Sequence, residues 1–181
     1  MGIKIEIMKT TTLFFYVVLL SVCFLSTTSQ ARTLHNKRFK FNITIPDRMA
    51  RIDDSTDGLY QQIYYDTTIG LIFIISARES TFKSVTDYID CSRQGLEQAM
   101  KTNYGDSLLT MKSCNRSQYY PDQTTVLNFE VSVLPFGFDR YVVYFIHHHH
   151  KDLQLSFTYK KENEQLSLAA IDKIMSTLKL R

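Results

Sequence analysis

Apolar and polar side chains alternate along this chain with a period that switches several times, and each switch marks an element. Arg38–Ile45 sets Phe39, Phe41, Ile43 and Ile45 against Lys40, Asn42 and Thr44, which predicts a strand with one wet face, stopped by Pro46. Leu59–Asp66 and Leu71–Ala77, joined by Thr67-Thr68-Ile69-Gly70, read as a hairpin. Leu71–Ile75 is apolar at every position, so this strand needs cover on both faces. Ser84 followed by Asp87 resembles a capping box, and Val85, Tyr88, Ile89, Ser92, Leu96, Ala99 and Met100 keep helical spacing to about Asn103, before Gly105. Four strands follow: Leu108–Ser117, Thr125–Leu134, Tyr141–His147 and Leu153–Lys160. The second carries Leu127, Phe129, Val131 and Val133 on one face. The last has Leu155, Phe157 and Tyr159 inward and Gln154, Ser156 and Thr158 outward. Tyr120-Pro121-Asp122 and Pro135-Phe136-Gly137 are turn signals. Leu166, Ala170, Ile171, Ile174, Met175 and Leu178 form a closing helical stripe, with Lys179 and Arg181 at its end. Arg51–Gly58 reads as an acidic turn, and Arg32–Lys37 as a flexible leader. Strands, helix, strands, helix with short links predict an α+β fold, an antiparallel sheet sandwiched between helices.

The N-terminus departs from this pattern. A mildly basic start, the apolar run Leu13–Leu25 and the small-x-small site Ser29-Gln30-Ala31 are the three regions of a secretory signal, cleaved after Ala31. The run is too short to span a bilayer, so no integral membrane segment is expected after cleavage. A lipid anchor at Cys23 is the alternative, but Val22 before it suits that processing poorly. Residues 38–181 then form a single domain, with no repeat or linker to divide them. The whole chain has 181 residues and a formal net charge of +3, too even a balance for a nucleic-acid binder. Its 44% hydrophobic content excludes disorder.

Candidate chemistry is sparse. Cys91 and Cys114, in an exported chain, are expected to form a disulfide, although Cys91 sits on the flank of its helical wheel. A catalytic thiol would need a positioned histidine, and all the histidines but His35 lie in His147–His150. If that run continues as a strand, His148 and His150 share a face and, with Asp152, make a candidate metal site; the competing reading is a polar surface turn. Asp53, Asp54, Asp57, Glu79 and Glu130 read as surface carboxylates, and no nucleophile elbow, phosphate loop or dinucleotide fingerprint is present, so neither catalysis nor a cofactor is expected. Tyr119-Tyr120, at an exposed turn, is the candidate partner-binding pair. Asn42-Ile43-Thr44 and Asn115-Arg116-Ser117 are glycosylation triplets in a eukaryotic host. Arg32, Lys37, Arg38 and Lys40 form a short basic patch suited to a membrane surface or an acidic partner.

Four stretches resemble the PsbP/DcrB-like group: Phe41-Asn42-Ile43-Thr44-Ile45-Pro46, Ile74-Ile75-Ser76-Ala77-Arg78 before the helix near Ser84, the central alternating strands, and Ile171-Asp172-Lys173-Ile174-Met175-Ser176-Thr177-Leu178. Met49 stands where the group often has tryptophan, and the chain contains no tryptophan. The resemblance implies an antiparallel sheet between helices and a non-enzymatic domain that docks on a partner protein without a cofactor.

Overall fold

The computed structural model describes residues 31–53, 60–104, 109–131 and 137–181. In chain order the elements are β1 (Arg32–Asn36), β2 (Phe41–Ile45), β3 (Met49–Asp53), β4 (Tyr60–Asp66), β5 (Leu71–Glu79), α1 (Val85–Tyr104), β6 (Leu109–Arg116), β7 (Thr124–Val131), β8 (Arg140–His148), β9 (Lys151–Tyr159), a 3-10 turn (Lys161–Asn163), α2 (Glu164–Ser176) and β10 (Lys179–Leu180). Two antiparallel sheets result, one ordered β3-β4-β5-β9-β8-β7-β6 and a smaller one ordered β1-β2-β10. The fold is α+β, as the strand–helix–strand–helix pattern requires.

The larger sheet has a different core on each face. On one face, Leu71, Phe73 and Ile75 of β5 and Leu155, Phe157 and Tyr159 of β9 meet Ile171, Ile174 and Met175 of α2 and Phe41, Ile43 and Ile45 of β2. Phe73 and Phe157 are register partners, and their rings stack at 4.7 Å with 8° between planes. Tyr64, opposite Phe73 on the next strand, extends the stack at 5.8 Å. Cross-strand aromatic pairs of this kind fix register as well as burying area. On the other face, Tyr88 of α1 packs on Leu127, Phe129 and Val131 of β7 and Val143 and Phe145 of β8. Ser84 caps α1 as its spacing predicts, accepting from the Asp87 amide at 3.1 Å.

Several expectations need correction. Arg32–Asn36 is no loose leader, because its backbone pairs with β2 from Arg32↔Ile45 to Asn36↔Phe41. Met49–Asp53, read in part as a turn, is strand β3 beside β4; residues 54–58 lie outside the described residues, as do Gly105 and Val133. Leu166 is 59% exposed. The buried stripe of α2 runs Ser167, Ala170, Ile171, Ile174, Met175, which puts Leu166 one helical step off it. On β5, Leu71, Phe73 and Ile75 are fully buried, whereas Ile72 and Ile74 keep part of their surface in solvent. One face of that strand is sealed and the other is not.

His149 and His150 form a two-residue connection between β8 and β9, with φ of 45° and 57°. That left-handed turn suits the twist of a hairpin, but Asn-Gly adopts it at lower cost than two β-carbon-rich side chains.

Two outcomes check this description. Phe157→Ala removes the centre of the aromatic stack and should cost about 3–5 kcal/mol in urea unfolding. His149→Asn/His150→Gly should raise stability by about 1 kcal/mol, a rise of about 2–4 °C in thermal melting, by relieving the turn.

Candidate functional site

A groove of about 490 Å³ opens on the α1 face, between that helix and strands β4, β5 and β9. Register explains its floor. Gln61, Ser76, Gln154 and Phe145 are successive partners across β4, β5, β9 and β8, so all four point to the same face. Arg78, Asp152 and His147 form the next row. Tyr88, Cys91, Ser92 and Gly95 form the helix wall. Tyr88 and Cys91 lie one turn apart on one side of α1, as do Cys91 and Gly95.

The deepest charge is Asp152, whose carboxylate has no solvent exposure. Its Oδ1 lies 2.9 Å from His147 Nδ1 and its Oδ2 lies 3.5 Å from Arg78 Nε. The second contact is an ion pair without hydrogen-bond geometry, so Oδ2 keeps an unused acceptor lobe. The Arg78 guanidinium also lies over the rings of Phe82 and Tyr88, at 5.5 and 5.7 Å. Burial, reinforced by the Asp152 charge, pushes the Tyr88 phenol well above its ordinary pKa, against a hydrogen bond with Ser92. Tyr88 is therefore neutral and Ser92 already engaged. Burial also raises Tyr141, whose hydroxyl donates to Ser156 at 3.0 Å, while Gln154 donates to the same Ser156 oxygen at 2.9 Å. Such a site can bind through amides, hydroxyls and a shielded ion pair.

The structure separates the residues that the sequence grouped. Cys91 and Cys114 are both free and exposed, so the expected disulfide is absent. Cys91 lines the groove on the β4–β5 side of α1. Cys114, opposite Leu127, stands on β6 at the sheet's far edge, four strands from β5. The metal expectation fails on strand geometry. His149 and His150 occupy the turn, and His148, adjacent to His147, points to the opposite face from Asp152. Among the described residues no three histidine, cysteine or carboxylate side chains converge to hold a metal.

Tyr119 and Tyr120 are turned onto their own chain. The Tyr119 hydroxyl donates to the Asp172 carboxylate, and the Tyr120 hydroxyl donates to the Leu178 carbonyl at 3.1 Å. Together they fasten the β6–β7 turn to the end of α2. Asn42 is 7% exposed, and with its amide oxygen toward Arg181 it accepts from that guanidinium, which leaves little access for a glycan. Asn115 is exposed on β6.

Pattern reading passed over Arg78, Gln61, Ser76 and Gly95, because polar residues on a strand's outward face read as solvated surface. One signal was available: Gly95 interrupts a strongly periodic helix, where glycine is unfavourable. A β-carbon added there would meet nothing within 4 Å, so close packing does not explain the glycine.

No protein-family model and no curated protein sequence matches the chain. Among solved structures, the cyanobacterial PsbP (CyanoP) of Synechocystis sp. PCC 6803 superposes with a TM-score of 0.61 at 13% identity, over 87% of this chain and 96% of that one. A structure from Bacteroides thetaiotaomicron VPI-5482 gives a TM-score of 0.46 at 17% identity, over 84% of this chain and 49% of that one. At these identities the likeness is one of fold. The chain has the PsbP-like fold that its strand and helix motifs resemble.

Proposed function

We propose that this protein is an exported, non-enzymatic domain that docks on a partner protein through the groove beside α1. The occupant is an extended segment of that partner. Its backbone meets the amides and hydroxyl of Gln61, Ser76 and Gln154, and one of its side chains fills the space beside Gly95. The observation that carries this reading is Gly95 itself. Alanine there would favour α1 by about 1 kcal/mol, and glycine instead leaves the groove wall bare.

Two further features support it. Ile63 and Ile74, register partners on the same face, remain half-buried beside the groove and offer apolar area to a bound segment. The resemblance to the PsbP/DcrB-like group implies docking without catalysis. Export rests on the N-terminal signal pattern, which lies in residues 1–30, outside the described residues, and on its cleavage site. Among the described residues no helix is long and apolar enough to cross a membrane.

Gly95→Arg tests the reading directly. The added side chain enters open space on an exposed helix position, so the variant should fold and melt no lower than the parent, gaining up to about 1 kcal/mol of helix propensity. It should also lose at least tenfold in affinity for a partner recovered from the exported fraction. A stable Gly95→Arg protein that keeps full affinity would remove the groove from the interface.

A further inference from the structure

Three segments far apart in sequence meet at one end of the molecule. The β1–β2 turn carries Lys37, Arg38 and Lys40, all exposed; the C-terminal stretch carries exposed Lys179 and Arg181; and the β8–β9 turn carries His149, His150 and Lys151. Their contact is direct. The Arg181 amide donates to the Lys40 carbonyl at 2.8 Å. His148 feels Lys40 and donates a hydrogen bond to the Arg181 backbone. Arg38 and Lys151 both reach Glu79, the acidic side chain in contact with this end. Among the described residues six lysines and arginines therefore face one carboxylate side chain, with His35 alongside through Asn42.

We propose that this end binds an anionic lipid surface, and binds it more tightly as the pH falls. Charge complementarity selects the occupant. A protein interface takes its affinity from buried aromatic and apolar anchors, and among the described residues the large exposed hydrophobic side chains, Met111, Leu166 and Leu168, lie on β6 and α2, away from these turns. Lipid head groups need no such anchor, because each basic side chain near the surface adds its own attraction. The exposed cations stand on the β1–β2 turn and on the stretch after α2.

The pH response comes from the histidines. His149 and His150 are exposed at the tip of their turn. Burial, then the neighbouring His149, holds His148 below its ordinary pKa. His147 faces Asp152 and Arg78 on the opposite side of the sheet and is not part of this surface. Lys40, Lys151, Arg38 and Arg181 are the cations that face the turn, and Glu79 is the opposing anion. This surface is separate from the groove beside α1, so either proposal stands or falls without the other.

The test is co-sedimentation of the exported protein with vesicles of phosphatidylcholine alone or with 30% phosphatidylglycerol, at pH 7.4 and 5.5. Binding should require phosphatidylglycerol and be lost in 0.5 M salt. It should drop at least tenfold in Lys37→Glu/Lys179→Glu, whose two sites are exposed. It should tighten several-fold at pH 5.5, and His149→Asn/His150→Asn, which tolerates the left-handed turn, should erase that gain. Equal binding to phosphatidylcholine, or binding unchanged by the charge reversals, would overturn the proposal. So would retention on soluble polyglutamate without vesicle binding, which would assign the surface to an acidic protein. A pH gain that survives in His149→Asn/His150→Asn would remove the histidines from the account.

Discussion

The pairing of β5 with β9 is the constraint on which the remaining structure depends. The chain builds two antiparallel meanders, β3-β4-β5 and β6-β7-β8-β9, and this one ladder, from Ile72↔Thr158 to Glu79↔Lys151, makes them a single sheet. Such a pairing is costly to form, because it closes a long loop before any contact rewards it. Phe73 stacked on Phe157, both without solvent exposure, offsets that cost on the α2 face. A slip of one residue would turn the pair toward the α1 face and expose both rings.

Once β5 is central and β6 is at the edge, the path of α1 is largely determined. The helix leaves the end of β5 and must deliver the chain four strands away, about 19 Å, and its twenty residues span about 30 Å. It therefore lies over β7 and β8, where Tyr88 finds Leu127, Phe129 and Phe145. The same path leaves β4 and β5 short of cover on that face. The groove is thus a consequence of connectivity, and Gly95 is the local choice that keeps it open. The buried Asp152, shared between His147 and Arg78, gives the open side a polar floor that is specific in shape and needs no solvent to be satisfied on its His147 side.

Much of this was legible in the residues. Period two in Phe39–Ile45 and Leu153–Tyr159, the Ser84 cap and the Ile171–Leu178 stripe each report a local preference, and local preferences survive into the fold. What pattern could not convey was long-range. β1 is polar and looks like a tail, yet its backbone finds β2, because a strand at a sheet edge needs few apolar side chains. Cys91 and Cys114 are an even pair in an exported chain, but the fold sets Cys91 in the groove beside β4 and β5 and Cys114 on the edge strand β6. Four consecutive histidines look equivalent until the two-residue turn assigns His147 and His148 to opposite faces and the other two to the tip. The groove residues hid for a similar reason, since Gln61, Ser76 and Gln154 become a site only when three strands align them.

The two free cysteines provide a direct reading of the central claim, that the open side of α1 is the docking face. Rates of maleimide labelling would be measured on the exported protein, alone and with its co-purifying partner, and assigned to each thiol by peptide mass. Both thiols should react in the isolated protein without reductant, and the partner should slow Cys91 at least tenfold while leaving Cys114 unchanged. Protection of Cys114 alone, or of neither thiol, would contradict the account, and a Cys91–Cys114 disulfide would contradict the placement of α1 itself.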